Sequence, residues 1–295
     1  MENTDPFRQI IERLPQAIRD EIEYLPQTIV EKIEEIRLRC GYNLRIQGDD
    51  FEKTVGYMVT AEELTKILNS LIKYSYYAYE EDLAKGFVTI EGGHRVGICG
   101  KAVIRKGQMS LIKEISSMNI RFCKEKIGCS KALASHLIDQ GGKVVNTLLI
   151  SPPGCGKTTM LRDIARFFSY NGIKTAVCDE RSEIAGMYNS VPSFDLGPRT
   201  DILDGAPKAQ GIELLIRSMS PQVIITDELG KKEDIEAIRQ CMTTGVNVVT
   251  SIHGASREEV LHSAAGPLIK DNFFKNLIYL SRENGPGTIA EVYHD

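Results

Sequence analysis

The chain has 295 residues, of which 42% are hydrophobic and 26% are charged, and its formal net charge is −4. These values are typical of globular proteins and argue against wholesale disorder. The acidic excess argues against a generally basic nucleic-acid-binding protein, although it leaves room for a local basic patch. The seven cysteines are irregularly spaced and form no Cys-x-x-Cys pair, so we expect reduced thiols and no zinc framework.

No stretch approaches the roughly 20 consecutive apolar residues that a membrane-spanning helix needs. The N-terminal residues include Glu2 and Asp5 in place of a basic head and an apolar core, so we expect no secretory signal peptide. We therefore expect a soluble, cytoplasmic protein that reaches a membrane only through partners.

Residues 1–128 mix helix and strand signals with many short turns. A helix is predicted over 60–74, where Thr60 and Glu63 form a capping box ahead of an apolar stripe. Strands are predicted at 87–90 and 95–98 around the Gly92-Gly93 hairpin signal, and at 111–112 and 119–122 after a turn at 105–108. This part is predicted to be a small α+β domain with an antiparallel sheet.

A linker helix is predicted within residues 129–143, ended by Gly141 and Gly142. From residue 144 to the end, strands and helices alternate. Strands are predicted at 146–150, 175–178, 222–226 and 246–252, and helices at about 157–170, 208–219 and 231–244. This alternation predicts an α/β domain whose parallel sheet is covered by helices on both faces. Segments 277–280 and 288–293 are expected to add edge strands.

The most informative stretch is SPPGCGKTT at residues 151–159, between an apolar strand and an amphipathic helix. This is the context of a phosphate-binding loop, although Ser151 replaces the usual first glycine. Glycines let backbone N–H groups converge on phosphate oxygens, and the helix N-terminus adds a positive dipole end. Lys157 is expected to bridge the β- and γ-phosphates, and Thr158 to hold Mg²⁺. The nucleotide-binding candidates are Pro153, Gly154, Cys155, Gly156, Lys157, Thr158 and Thr159.

Two acidic residues, Asp227 and Glu228, end a predicted buried strand. Ligands of open α/β sheets bind outside the carboxyl ends of the strands, so both acids are expected to face the phosphates. Asp227 is expected to position Mg²⁺ through its water shell. Glu228 is expected to orient and polarise a water for attack on the γ-phosphoryl group, which favours hydrolysis over transfer to a small molecule.

Two further predicted strands also end in polar residues. Asp179 and Glu180 follow one of them and are candidates to hold a water or to steer Mg²⁺. His253 ends another, where an imidazole can hydrogen-bond the γ-phosphate and report whether it is present. The alternative interpretation is structural, with the acids capping a helix and the histidine packed in the core.

The order of these four elements resembles the secretion-ATPase superfamily, the motors of type II and type IV secretion and of pilus assembly. More narrowly, the whole chain resembles the stage III sporulation protein AA family of endospore-forming bacteria. That resemblance is carried by EIRLR at 35–39, GGHRVG at 92–97, PPGCGKTT at 152–159, DERSE at 179–183 and DLGPRT at 195–200. Unlike many secretion ATPases, the chain has Thr-Asp-Glu in place of Gly-Glu at 226–228, and it lacks the four-cysteine zinc motif of some pilus motors.

The resemblance implies a RecA-like P-loop ATPase domain at 144–295, preceded by the smaller N-terminal domain. It also implies ATP and Mg²⁺ as cofactors and assembly into a homo-hexamer. ATP hydrolysis would energise a channel complex of membrane proteins between mother cell and forespore, from the mother-cell cytoplasm. Matching roles are implied for Lys157, Thr158, Glu228, Asp179, Glu180 and His253.

Ring ATPases usually complete their sites with arginines from an N-terminal domain or a neighbouring subunit. Such residues contribute about 10³–10⁵ in rate in other phosphoryl-transfer enzymes. The candidates in this chain are Arg95, Arg121 and Arg199. Each has an alternative interpretation as a surface charge or as a member of a stabilising ion pair.

Other functions share a phosphate-binding loop. A small-molecule kinase needs an acceptor pocket and usually an arginine-rich lid, and Asp227, Glu228 and the histidine argue against it. A GTPase switch is not supported, because the sequence has no Asn-Lys-x-Asp motif. The negative charge and the lack of a basic tail argue against single-stranded nucleic-acid binding. The presence of Lys157 and Glu228 argues against an assembly module that does not hydrolyse ATP.

Overall fold

A computed structural model of the protein describes residues 6–48 and 50–294. The chain divides into two compact units. The first unit runs to Lys124 and includes Tyr188–Ser193, and the second comprises Glu125–Met187 and the chain from Phe194 onward. The domain limits predicted from the sequence, 1–128 and 144–295, stay a prediction.

The first unit is built on a six-stranded antiparallel sheet with strand order β3-β2-β1-β6-β5-β4. Its strands are β1 (Ile33–Arg39), β2 (Asn43–Gly48), β3 (Glu52–Met58), β4 (Phe87–Ile90), β5 (His94–Arg105) and β6 (Gln108–Arg121). Its helices are α1 (Pro6–Ile11), α2 (Gln16–Glu23), α3 (Gln27–Val30), α4 (Ala61–Leu71) and α5 (Glu80–Lys85), with a 3-10 turn at Tyr76–Tyr79.

Side chains of this sheet alternate between a buried and a polar face, as the two-residue period of a strand requires. Ile36, Ile120 and Val96 are neighbours across three strands and are fully inaccessible to solvent. They belong to a core that includes Leu64 and Ile67 of α4. The predicted helix over 60–74 is α4, and its capping box is present.

One long strand replaces two of the predicted strands in this unit. The segments at 111–112 and 119–122 were predicted separately, but the structure has a single strand, β6, which pairs with β5 through most of its length. The two strands meet at a tight turn, where Lys106 and Gly107 have φ values of +49° and +78°. Pairing with β5 resumes on both sides of an irregularity between Cys99 and Lys101, and it holds the polar residues between the two segments in the strand.

The second unit contains a seven-stranded sheet with strand order β11-β8-β12-β13-β7-β14-β15, and every neighbouring pair is parallel except β14 with β15. The strands are β7 (Thr147–Ser151), β8 (Thr175–Asp179), β11 (Thr200–Asp204), β12 (Val223–Glu228), β13 (Asn247–His253), β14 (Asn276–Ser281) and β15 (Thr288–His294). The short strands β9 (Met187–Tyr188) and β10 (Val191–Pro192) form a two-stranded sheet of their own, and of these Tyr188 and β10 belong to the first unit. The helices are α6 (Ala134–Leu137), α7 (Lys157–Tyr170), α8 (Lys208–Met219), α9 (Lys232–Thr244), α10 (Arg257–Leu261) and α11 (Gly266–Lys270), after a 3-10 turn at Lys131–Leu133.

Two apolar cores cover the two faces of the parallel sheet. Leu148 and Ile150 of β7 belong to the core that includes α8 and α9, whereas Leu149 belongs to the core that includes α7. Strands buried on both faces consist almost entirely of apolar residues, which is why periodicity and length identified them. The predicted α/β fold with a parallel sheet is confirmed.

Two predictions in the second unit need correction. The strand at 277–280 is not an edge strand, because β14 lies between β7 and β15 and leaves only β15 at that edge. The linker helix predicted within 129–143 is limited to the 3-10 turn and α6. The chain then extends at Ile138 and turns, because the carboxylate of Asp139 accepts the N–H groups of Gly141 and Lys143. Over the described ranges, 6–48 and 50–294, no helix combines the length and apolar character needed to cross a membrane.

Candidate nucleotide site

The predicted phosphate-binding loop connects the carboxyl end of β7 to the start of α7. Gly154 and Gly156 have φ values of +75° and +83°, a left-handed conformation that glycine adopts without steric cost. Lys157 begins α7, so Thr158 and Thr159 lie in its first turn, where backbone N–H groups have no partner within the helix. The loop therefore has the geometry of an anion-binding helix N-terminus.

The other two loop candidates shape the loop from within. The Cys155 side chain is buried, and its Sγ lies 3.9 Å from the Pro153 carbonyl oxygen. The Cys155 carbonyl oxygen accepts a hydrogen bond from the Gly287 N–H at 2.9 Å. Gly287, which immediately precedes the last strand, β15, is therefore in direct contact with the phosphate loop.

Lys157 is 7% exposed, and its ammonium group bonds to the loop itself. Nζ donates to the carbonyl oxygens of Ser151 at 2.9 Å and Pro152 at 3.3 Å, and lies 2.8 Å from Nδ1 of His253. These carbonyl partners carry no formal charge. Burial lowers the pKa of Lys157, whereas the charge of Glu228 acts in the opposite direction. The result is a positive charge that is only partly compensated and lies beside an anion-binding loop.

Lys157, His253 and Glu228 form a continuous row across three strand ends. Nε2 of His253 lies 2.7 Å from Oε2 of Glu228, while its Nδ1 faces Lys157. A proton on Nε2 satisfies both contacts, because Nε2–H then donates to the carboxylate and Nδ1 accepts from the ammonium. The parallel register explains the row, since β13 lies between β7 and β12 and pairs His253 with Ser151.

Asp227 belongs to a second cluster at the same edge of the sheet, centred on Lys208. Nζ of Lys208 lies 2.7 Å from Oδ1 of Asp227 and 3.6 Å from Oε2 of Glu180, and donates to the Glu228 carbonyl oxygen at 2.5 Å. Burial alone would lower the pKa of Lys208, but Asp227 and the neighbouring acids raise it. Burial raises the pKa of Asp227 although Lys208 opposes it, and Glu180 and Glu183 add to the increase.

The residues that were predicted to hold Mg²⁺ are of the right chemical type. Mg²⁺ in nucleotide enzymes is usually held by one or two protein oxygens together with substrate phosphates. The hydroxyl of Thr158 and the carboxylate of Asp227 fit this pattern. Within the described part of the chain, no group of three or more His, Cys, Asp or Glu residues is arranged to hold a metal by itself. The two oxygen donors, a hydroxyl and a carboxylate, fit a cation that is bound together with nucleotide phosphates.

Asp179 has a different role from the one that the sequence predicted. Its carboxylate is inaccessible to solvent and accepts the N–H groups of Glu183, Ile184 and Ala185 at 2.8–3.0 Å. Burial raises the pKa of Asp179 to about 7, although these N–H donors act to lower it. The side chain holds the loop after β8, which corrects its interpretation as a water or Mg²⁺ ligand. Of the acidic pair, it is Glu180 that approaches the Lys208 cluster.

The three candidate arginines lie in different surroundings. Arg199 precedes β11, at the amino edge of the sheet and opposite the phosphate loop, and donates to the Gly172 carbonyl oxygen at 3.1 Å. In the first unit, Arg95 and Arg121 are register partners on β5 and β6. The Arg95 guanidinium stacks 3.7 Å from the Phe87 ring centroid, and Arg121 lies 3.9 Å from a carboxylate oxygen of Glu35. Their action on a nucleotide in a neighbouring subunit stays a prediction.

Sequence reasoning missed Lys208, although one signal was available. Lys208 is the first residue of α8, where a positive charge opposes the helix dipole. A lysine at that position needs a specific partner to offset this cost. In the structure that partner is Asp227, which lies next to Glu228 on β12.

Comparison with known proteins identifies the family. The model of the family described as sporulation stage III, protein AA, matches residues 5–295. The chain belongs to this family. Stage III sporulation protein AA of Bacillus subtilis (strain 168) is 38% identical to it over 293 residues, which cover 97% of this chain and 95% of that protein. The uncharacterised protein ycf45 of Porphyra purpurea is 33% identical over 133 residues, 44% of this chain and 23% of that protein.

Solved structures of secretion and pilus motors share the fold. The ATPase DotB of Legionella pneumophila superposes with a TM-score of 0.59 at 16% identity, and covers 90% of this chain and 76% of its own. The pilus retraction motor PilT, solved with bound ADP, gives a TM-score of 0.61 at 14% identity with the same coverage. At these identities the likeness establishes the fold alone, a RecA-like P-loop domain with a further N-terminal domain. The resemblance to secretion ATPases is therefore confirmed at the level of fold.

Proposed function

We propose that this member of the family is an Mg²⁺-dependent ATP hydrolase that works as a motor. The row formed by Lys157, His253 and Glu228 beside the phosphate loop carries the proposal. It joins a phosphate-binding cation to a carboxylate that can orient a water, at the sheet edge where nucleotides bind in α/β proteins. Membership of a sporulation family and the fold of secretion ATPases support the same function.

Each residue of the row has a distinct role in the proposal. Loop and α7 N–H groups bind phosphate oxygens, and Lys157 exchanges its neutral carbonyl partners for charged ones. Glu228 orients the attacking water and accepts its proton. His253 links Glu228 to Lys157, so the two respond together to the terminal phosphate. Thr158 and Asp227 would hold Mg²⁺ together with the nucleotide, and the ion would supply neutralisation of charge on the phosphates.

The proposal extends to assembly and cellular role. We infer a homo-hexamer in which Arg95 or Arg121 completes the site of a neighbouring subunit. ATP turnover in this ring would energise a channel complex of membrane proteins between mother cell and forespore, from the mother-cell cytoplasm. Family membership and the likeness to motor proteins support this role.

Release of free phosphate from ATP, with no acceptor present, tests the proposed reaction. We expect Lys157→Ala to weaken ATP binding by at least 100-fold, because the loop loses its buried cation. Glu228→Gln is expected to retain ATP affinity within about threefold and to lower turnover by 10²–10⁴, the usual contribution of a positioned acid or base. Isotope-labelled ATP binding and phosphate release, with and without Mg²⁺, measure both effects.

Matched controls are available on exposed helix positions. Lys270→Ala in α11 and Glu236→Gln in α9 make the same chemical changes and are expected to leave binding and turnover unchanged. Wild-type turnover by Glu228→Gln would contradict the water-orienting role. Phosphate transfer that requires a small-molecule acceptor would favour a kinase, and turnover that requires a single-stranded nucleic acid would favour a nucleic-acid-dependent function.

A further inference from the structure

A short turn near the end of the chain packs against the phosphate loop. Residues 282–287, here named the C-terminal turn, connect β14 to β15. Because β14 runs parallel to β7 as its direct neighbour, the turn and the loop leave the sheet at the same edge. The Gly287 N–H donates to the Cys155 carbonyl oxygen at 2.9 Å. The C-terminal turn is therefore joined by a backbone hydrogen bond to the loop that binds phosphate.

The contact between the turn and the loop is close enough to disfavour a side chain at Gly156. A Cβ atom added at Gly156 would lie 3.0 Å from the Gly287 backbone nitrogen and 3.3 Å from the Pro286 carbonyl carbon. Gly156 therefore has two reasons to lack a side chain, its left-handed backbone and the approach of the turn. The usual role of this glycine, close approach to phosphate, is here combined with close approach to another segment of the chain.

The conformation of the C-terminal turn is fixed by its own hydrogen bonds. The Gly285 N–H donates to the Arg282 carbonyl oxygen at 3.0 Å, and the Thr288 hydroxyl donates to the Gly285 carbonyl oxygen at 2.7 Å. Gly285 and Gly287 have φ values of +97° and +89°, so the turn depends on glycine at both positions. These bonds place Arg282 at a defined point next to the loop.

Arg282 brings a permanent positive charge to the phosphate loop. Its Nη1 lies 3.2 Å from the position that a Cβ atom on Gly154 would take. Arg282 as a whole residue is exposed to solvent. A guanidinium presents several N–H donors in one plane and matches the oxygens of a phosphate better than a single ammonium does.

We propose that Arg282 contacts the polyphosphate of the nucleotide bound in the loop, as a second cation supplied by the same chain as Lys157. This inference rests on the proposed function. Two independent features meet at this point: an anion-binding loop built from left-handed glycines and a helix N-terminus, and a turn held against it that carries the arginine. Arg199, one of the three arginines predicted from the sequence, lies at the opposite edge of the sheet.

Nucleotide-induced stabilisation of the full chain tests the proposal. Arg282→Gln removes the charge and keeps an amide hydrogen-bond donor on a shorter side chain, whereas Arg282→Lys keeps the charge on a side chain of similar reach. We expect Arg282→Gln to raise the Kd for Mg²⁺-ADP about tenfold, in line with the loss of one charged hydrogen bond, and Arg282→Lys to raise it less than threefold. The shift in Tm caused by ADP should fall in the same order, and the salt dependence of Kd should be weaker in Arg282→Gln.

The controls separate this proposal from the function on which it rests. Arg217→Gln, on an exposed face of α8, is expected to bind ADP like the wild type. Wild-type protein that binds neither ADP nor ATP would overturn the proposed function. Wild-type binding together with unchanged affinity in Arg282→Gln would overturn only the inference about Arg282. A fall in the Tm measured without nucleotide, equal in size to the lost ADP effect, would assign Arg282 a structural role and would also overturn it.

Discussion

Two buried lysines lie at the same edge of the parallel sheet, and each begins a helix. Lys157 bonds to carbonyl oxygens of its own loop and to His253, whereas Lys208 pairs with the carboxylate of Asp227. Burial lowers the pKa of Lys157, and neighbouring acids raise the pKa of Lys208 above its ordinary value. The two residues are thus similar in burial and opposite in how their charge is compensated.

The difference indicates that two buried lysines at one sheet edge have different roles: one suits ligand binding, and the other suits stabilisation of the fold. A buried charge with incomplete compensation is costly to the folded protein, and an anion removes that cost. A buried charge already paired with a carboxylate gains little from a ligand, but it fixes the position of its partner. Lys157 therefore suits phosphate binding, and Lys208 suits the positioning of Asp227 and Glu228.

Replacing each lysine by methionine gives the largest expected contrast. Lys208→Met leaves Asp227 buried beside other acids, so we expect it to lower the free energy of unfolding by about 3–5 kcal/mol. Lys157→Met removes an incompletely compensated charge, so we expect a change within about 1 kcal/mol in the absence of nucleotide. Urea unfolding of both variants without nucleotide measures this contrast.

The pH dependence and a double variant test the cause of that contrast. Burial raises the pKa of Asp227, and loss of Lys208 would raise it further, so Lys208→Met should lose less stability at acidic pH, where Asp227 is protonated, than at neutral pH. Combining Lys208→Met with Asp227→Asn should restore part of the lost stability. Equal losses in Lys157→Met and Lys208→Met would show that compensation of charge does not distinguish the two lysines.

Asp179 extends the comparison to a buried charge whose partners are backbone N–H groups. Burial raises its pKa from 3.8 to about 7, so the folded state binds a proton more readily than the unfolded state between these values. Stability from this residue is therefore highest below pH 4 and falls as the pH rises to about 7, by at most about 1.4 kcal/mol per pH unit. In Asp179→Asn this dependence should be absent.

The measurement compares urea unfolding of wild type and Asp179→Asn from pH 4 to pH 8. The difference in unfolding free energy should shift in favour of the variant as the pH rises. Asp271→Asn, at an exposed ion pair with Arg239, is the control for the loss of a carboxylate and should not reproduce this trend. A difference that does not vary with pH would show that the three N–H donors keep Asp179 ionised throughout this range.

Most strands of the second unit were predicted correctly because their sequences carry strong strand signals. Strands β7 and β12 are buried and contain apolar runs that end in polar residues, and β13 combines an apolar run with Thr250 and Ser251, which are also buried. Strand β11 was missed, because it lies at the sheet edge and its Thr-Asp-Ile-Leu-Asp sequence is only partly buried. In the first unit β1 was not predicted as a strand, because charged residues of its polar face interrupt Ile36 and Leu38.

The sequence predicted which strand ends form the site better than it predicted the contacts between side chains there. Parallel strands must present their carboxyl ends at one edge, so the placement of Lys157, Glu228 and His253 follows from strand order. Which acid joins the site depends on loop conformation, and the N–H donors that turn Asp179 inward come from a loop without a strong local signal. Lys208 and Arg282 reach the site from distant parts of the chain, so no local spacing could assign their partners.

Lys231 extends the comparison of lysines at this sheet edge to one whose side chain is exposed to solvent. Its Nζ lies 3.3 Å from Oε1 of Glu180, the acid that also faces Lys208, but its side chain is 67% exposed. Exposed ion pairs contribute about 0–1 kcal/mol and are screened by salt, so we expect Lys231→Ala to lower the unfolding free energy by less than about 0.5 kcal/mol and the effect to vanish at high salt. Urea unfolding at low and high salt, beside Lys208→Met, measures it. A loss as large as that of Lys208→Met would mean that contact with Glu180, rather than burial, sets the contribution of a lysine at this edge.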